Sequence, residues 1–184
     1  MLPWNTKGRH MSGPVRISWN RVGETSIPIS LMQYTNKKRL KIQEIEINDE
    51  IASSLFLECN RLFFDNKIPE IPIEIIESDT MNGDLKYDVD LNNKTISNYR
   101  IQISKSRKRT KKAFISTMIH EMLHYEVVSE IPYERIDEAA WYYQEGDMDK
   151  FDKLLYNNKY AHTGLWAEKA DNINKLYGIK INKA

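Results

Sequence analysis

Residues 114–128 read FISTMIHEMLHYEVV, and the five residues HEMLH at 120–124 decide how the rest of the chain is understood. The run is apolar and free of Gly and Pro, which predicts a helix over 112–129. On a helix, His120 and His124 stand four residues apart and share one face. Their imidazoles can then converge on one ion at about 2.0–2.1 Å. Glu121 lies about 100° further round. It can reach a water on that ion without being a ligand. This H-E-x-x-H spacing suits a metal that lowers the pKa of a water towards ~7 while the carboxylate takes its proton as general base. Phe114, Ile115, Met118, Ile119, Met122 and Leu123 predict deep packing for the helix. Two histidines on such a helix cost desolvation unless they are paired or coordinated. The plain alternative is a helix with two exposed histidines and a solvated Glu121.

Two histidines do not complete a catalytic zinc site, which takes three protein ligands and one open position. The chain has four histidines. His10 falls in a Pro/Gly-rich stretch and is the poorer of the two that remain. His162 opens the last predicted helix, fixed in direction and free to point across at a neighbour. A further histidine six residues after His124 would mark another zinc class, but that position is Glu130. An acid on a following helix, Glu134 or Glu138, is the rival third ligand.

Around this helix the chain divides unevenly. Residues 1–47 hold three of the six prolines and three of the seven glycines before residue 30 and show no helical period. They are expected to form an irregular N-terminal arm, with a disordered leader as the alternative. Residues 48–184 form the second part. NDEIASSLFLECNRLFF predicts a helix, with Asn48 or Asp49 as cap and Ile51, Leu55 and Leu62 on one stripe. IPIEIIES alternates Ile71, Ile73 and Ile75 as a strand does. DTMNGDLKYDVDLNNKTISN reads as a turn-rich span broken by Gly83 and Asn92-Asn93. YRIQIS alternates again, with Tyr99, Ile101 and Ile103 on one face. Two short helices parted by Gly146 follow, packing Ile136, Trp141, Phe151, Leu154 and Leu155 in the plain reading and forming a lid over the cleft in the other. A last helix is closed by Gly178. Helix, then strands, then helices only, predicts an α+β fold.

Composition narrows the classes. Lys plus Arg is 27 and Asp plus Glu is 26, so net charge alone calls for neither nucleic acid nor membrane. The single cysteine, Cys59, excludes an internal disulfide framework and a cysteine-based zinc ribbon. It is read as a small buried hydrophobe. No run is long and apolar enough to span a bilayer, and the N-terminus lacks the apolar core of a secretory signal. No membrane partner and a cytoplasmic setting are the expectations.

HEMLH followed by YAHTGLWAEKADNINKLYG resembles the SprT-like zinc metallopeptidase family, the Spartan type. CNRLFFDNKIPEIPIEIIES resembles the family's opening helix, turn and first strand, and YRIQIS the strand before its metal helix. The resemblance covers roughly residues 48–178. It implies a zincin-like domain with a small antiparallel or mixed sheet packed on the H-E-x-x-H helix. It implies Zn2+ held by His120, His124 and His162, with Glu121 activating the water, and Trp166 in the place of a family aromatic. Gly164 stands one position later than the family's glycine, and the usual C-terminal zinc ribbon is absent. The implied activity is zinc-dependent proteolysis of a protein substrate, lying along an edge strand at Tyr99, Arg100, Ile101, Gln102 and Ile103. Tyr125, Tyr142 or Tyr143 would assist the zinc in stabilising an oxyanion.

KSRKRTKK places Lys105, Arg107, Lys108, Arg109, Lys111 and Lys112 before the metal helix, where positive charge opposes the helix dipole. Family members act on proteins crosslinked to DNA, so a phosphate backbone is the expected partner of this run. A solvated loop is the plain alternative. The rival function is a structural component of a larger assembly, docked through residues 1–47. Because such genes occur in bacteriophages, a virion-associated location goes with that reading.

Overall fold

The computed structural model describes residues 44–106, 109–155 and 162–181. Most of the expected arm, and with it His10, Arg107 and Lys108, lies outside the described residues. The last residues assigned to the arm belong to the packed body. β1 (Glu44–Ile45) pairs antiparallel with β5 (Arg109–Thr110), and Ile47 is buried.

α1 (Asp49–Phe63) begins where Asn48 accepts a hydrogen bond from the Ile51 amide at 2.9 Å, with Asp49 and Glu50 in its first turn. It buries Ala52, Leu55, Phe56 and Cys59. Burial pushes the Cys59 thiol far above its usual range, with Glu58 adding to it, so this cysteine is an inert packing group. After α1 the chain turns through Asp65 and Asn66, both left-handed. The buried Asn60 side chain holds that turn by donating to the Ile68 carbonyl (2.6 Å) and accepting from its amide (3.2 Å).

Three strands follow, β2 (Ile73–Ile76), β3 (Gly83–Asp90) and β4 (Thr95–Ser104). Their order in the sheet is β2-β4-β3, with β2 parallel and β3 antiparallel to β4. Two expectations are corrected here. The span around Gly83 is an eight-residue strand, because Leu85, Tyr87 and Val89 alternate with charged residues. Residues 79–82 bend ahead of β3, and residues 91–94 turn after it, held by the Asp90 carboxylate accepting from the Asn92 and Asn93 amides. Secondly, β4 is the central strand. Ile101, Gln102 and Ile103 are flanked on both sides, so they cannot form an edge that receives a peptide, while Tyr99 and Arg100 lie beyond the pairing with β2. Continuous burial of Ile101 and Ile103 is what a central strand requires.

α2 (Lys111–Ser129) carries the HEMLH run. Thr110 caps it by accepting from the Ala113 amide at 3.1 Å. Phe114, Ile115, Met118, Ile119, Met122 and Leu123 are all buried, as expected for a helix covered on most sides. α1, the sheet and α5 (Gly164–Tyr177) close over it in one core that includes Ile101, Ile103, Trp166, Ala170 and Ile173. α5 ends at Gly178, which is left-handed (φ 65°), as its place after the last helical residue predicts.

α3 (Tyr133–Gln144) and α4 (Met148–Leu155) are parted by Gly146 and form a second cluster around Ile136, Ala139, Phe151 and Leu155. Val89, Leu91 and Ile96 of the β3–β4 hairpin pack against it. Trp141 was expected inside this cluster but is 54 % exposed, on the face of α3 opposite Ile136, Ala139 and Ala140. Among the described residues, no helix is long and apolar enough to cross a membrane.

Candidate metal centre

His120 and His124 project from α2, and His162 from the turn before α5. Their Nε2 atoms form a near-equilateral triangle with sides of 3.0, 3.1 and 3.0 Å. The ring centroids are 4.7–4.9 Å apart, so the rings converge with their nitrogens innermost. Such a triangle cannot be a closed ring of hydrogen bonds. Each Nε2 carries either a proton or one in-plane lone pair, never both. Three nitrogens facing one point are relieved by a cation placed there. Nitrogens at 2.0–2.1 Å from a tetrahedral ion stand about 3.3 Å apart, so the observed triangle fits to within a few tenths of an ångström. Among the described residues this is the one such cluster of potential metal ligands. The side chains present can therefore hold a metal ion.

The alternative acids take no part. Glu134 and Glu138 are exposed on α3 and lie outside the cluster. His162 is aimed by a local turn in which Thr163 is extended and Gly164 left-handed (φ 55°) as the first residue of α5. That φ is one a side-chain-bearing residue rarely adopts, which explains a glycine at this position. Behind the three imidazoles lies Trp166, fully buried, its ring 4.9, 5.6 and 4.7 Å from those of His120, His124 and His162. Its Nε1 is buried without a hydrogen-bond partner. The indole acts as a rigid apolar wall that limits where the rings can turn.

Electrostatics suit coordination. Burial, aided by His120 and His162, lowers the His124 pKa to about 3. Burial also lowers that of His162. Both rings are therefore neutral donors at neutral pH, the form that binds a metal.

Glu121 is only 4 % exposed and lines the same cavity. Its pKa is raised to about 8, first by burial and then by the nearby Asp84 charge, against the opposing hydrogen bond from the Leu85 amide. That bond joins α2 to β3. Leu85 is paired with Ile101, yet its N–H points away from β4 to Glu121. In an antiparallel pair, alternate residues turn their backbone groups outward, so Gly83, two residues earlier, faces the same way. β3 is thus the edge strand beside the metal centre. The approach is close. A Cβ on Gly83 would stand 2.6 Å from Thr117 Cγ2 and 3.0 Å from Glu121 Oε1.

The cavity encloses about 1210 Å³ and runs from residues 80–87 past the histidines to α4. Tyr125, Tyr142 and Tyr143 do not line it. Tyr125 packs edge-on against Tyr99, Tyr142 receives Lys150 over its ring, and Tyr143 packs on Phe151. Among the described residues, the tyrosine that does line it is Tyr87, whose hydroxyl donates to the Leu155 carbonyl at 2.5 Å. Sequence reasoning missed Gly83, Leu85 and Tyr87. The available signal was the alternation of Leu85, Tyr87 and Val89, masked by four charges.

Parts of the basic run are engaged internally. Lys105 pairs with Glu77 at 3.1 Å. Arg109 donates to the Ser104 and Asn82 carbonyls and to Thr117, with its guanidinium 4.4 Å from the Phe114 ring centroid. Lys111 is half-buried and Lys112 exposed.

The chain matches no protein-family model, no curated protein and no solved structure.

Proposed function

We propose that this chain is a zinc-dependent endopeptidase of the SprT-like type. One observation carries the reading: three imidazole nitrogens converge on a point beside a buried carboxyl group, at the edge of a sheet. Zinc is the metal of choice for three histidines with an open fourth position, and when bound it supplies Lewis acidity to a water and to a peptide carbonyl. Everything else falls to the chain. His120, His124 and His162 hold the ion, and Trp166 keeps their rings in place. Glu121 takes a proton from the attacking water at its carboxylate and delivers it to the departing amine. A cation on the histidines favours the ionised form of Glu121 that this task needs. The outward backbone groups of Gly83 and the outward carbonyl of Leu85, whose amide is taken by Glu121, pair with an extended peptide. This replaces β4 by β3 as the substrate strand and adds little preference for sequence by itself.

Zinc content and cleavage of an unfolded protein test the reading together. The full chain is expected to hold about one zinc. Glu121→Gln should keep the zinc and lose cleavage by at least a hundredfold. His162→Ala should lose the zinc, whereas Glu138→Ala should not. Cleavage retained by Glu121→Gln sinks the mechanism. Zinc without any cleavage favours the assembly component, which needs the fold but not the base. A role for DNA rests on the basic run at 105–112, of which Arg107, Lys108, Lys111 and Lys112 are the residues to neutralise. DNA affinity that ignores salt and the neutralisation of these four residues would remove that role.

A further inference from the structure

From the structure we infer that the cleft selects substrates, through an apolar trough that runs from the metal centre to α4 and takes about three consecutive large apolar residues of an extended peptide. The inference rests on the peptidase reading for the trough's occupant. Three elements build the trough. On α2, Val127 and Val128 stand three and four residues after His124, on the face that the histidine shares. In the following turn, Ile131 continues the line, its amide donating to the Val128 carbonyl at 3.1 Å. Leu154 and Leu155 close the far end from α4, and Tyr87 borders it from β3. All six residues line the cavity that holds His124, alongside Glu130, Arg135 and Lys153.

The trough is built to keep its shape. The Tyr87 hydroxyl donates to the Leu155 carbonyl and ties the edge strand to the end of α4. Phe151 and Leu155 anchor α4 in the second core cluster, and Leu154, half-buried, packs against that cluster while lining the cavity. The length follows from the helix. From His124 to the end of α2 at Ser129 the chain rises roughly 7.5 Å at 1.5 Å per residue, and the turn carries the line on to Ile131. An extended peptide advances about 3.3 Å per residue, so about three residues lie along it. Backbone pairing along β3 accepts any sequence, whereas burying aliphatic side chains in the trough distinguishes one peptide from another. α3 and α4, expected to be either plain packing or a lid, serve on this view as the wall that sets preference.

The test uses the full-length, zinc-loaded Glu121→Gln variant, so that no peptide is consumed. Two capped peptides of equal length are compared by calorimetry, one with three consecutive Leu and the other with three consecutive Ser. The Leu peptide should bind at least tenfold more tightly. Leu154→Lys and, independently, Ile131→Asn should each remove most of that difference while leaving the zinc content unchanged. Equal affinity for the two peptides in the Glu121→Gln protein overturns the trough, whatever the wild-type chain cleaves. Discrimination without cleavage by the wild type would instead overturn the peptidase reading and leave an apolar-peptide site beside a metal.

Discussion

Glu121 and His124 sit three residues apart on α2, and burial drives each towards its neutral form. The consequences for pH are opposite. In the metal-free protein the Glu121 pKa is about 8, against an ordinary 4.5. Between those values the native state keeps a proton that the unfolded chain has released, so stability falls as pH rises through that window. His124 titrates near 3 rather than 6.5. The unfolded chain binds the proton first, so stability falls as pH drops from 6.5 to 3. The two trends oppose each other between 4.5 and 6.5, and of the two only Glu121 acts above 6.5. Urea unfolding of the metal-free protein should therefore show stability declining from pH 6.5 to 8, by at most about 1.4 kcal/mol per pH unit. Glu121→Gln should remove that decline. An equal decline in the variant would mean that Glu121 is not held neutral. At this scale the sequence was a good guide. Histidine spacing on a helix is fixed by backbone geometry, so the pairing of His120 with His124 was legible, with Glu121 beside them, and the third member of the cluster could be narrowed to His162 or an acid. Gly83 and Leu85 were not legible, because their importance arises from a contact between α2 and β3 that no local pattern records.

Among the elements, β3 matters most to the site and was the hardest to read. Its charged residues and its opening Gly-Asp imitate a turn, and only pairing with β4 makes it a strand. Its close seat on α2 needs Gly83. In Gly83→Ala the new methyl group meets Thr117, Glu121 and the Gln102 carbonyl, which lies 3.2 Å away. β3 must then shift from α2. Stability should drop by about 1–3 kcal/mol, and cleavage should fall while zinc is retained, since no ligand lies on β3. Unchanged cleavage would show that β3 does not position the base. The helices were easier, because their signals are local. Asn48 caps α1, Gly146 parts α3 from α4, and Gly178 ends α5. YRIQIS was correctly read as a strand, yet its place in the middle of the sheet is a property of its neighbours.

For the whole molecule, the metal centre joins parts that are distant in sequence. His162 comes 38 residues after His124, and α3 and α4 lie between them with a core cluster of their own. An ion bound only by the folded state adds stability in proportion to the logarithm of its concentration, about 2.7 kcal/mol at a hundredfold excess over the dissociation constant. Chelation should therefore lower the melting temperature by several degrees, and added zinc should restore it. His162→Ala should melt at the same temperature with and without zinc. A zinc-dependent shift in that variant would place the ion elsewhere. The α+β class was legible from the order of helical and strand patterns. The strand order was not, because it depends on the long-range parallel pairing of β2 with β4.

An open sheet edge that can receive one peptide can also receive a second copy of the protein. β3 counters this with its own charges. Asp84 and Lys86 neutralise one another in an ion pair, and Arg100 of β4 is divided between Asp88 (3.7 Å) and Glu74 (3.8 Å), which leaves a net negative charge at Asp88 and Asp90. Two such edges brought together would double that excess, whereas a neutral or basic peptide meets no such repulsion. The acidic residues of β3 thus serve as a guard against self-association. Replacing Asp88 and Asp90 with Asn should lower the concentration at which the protein stays monomeric in ultracentrifugation, most clearly at low salt. If the doubly substituted protein remains monomeric to the same concentration, something other than charge protects the edge.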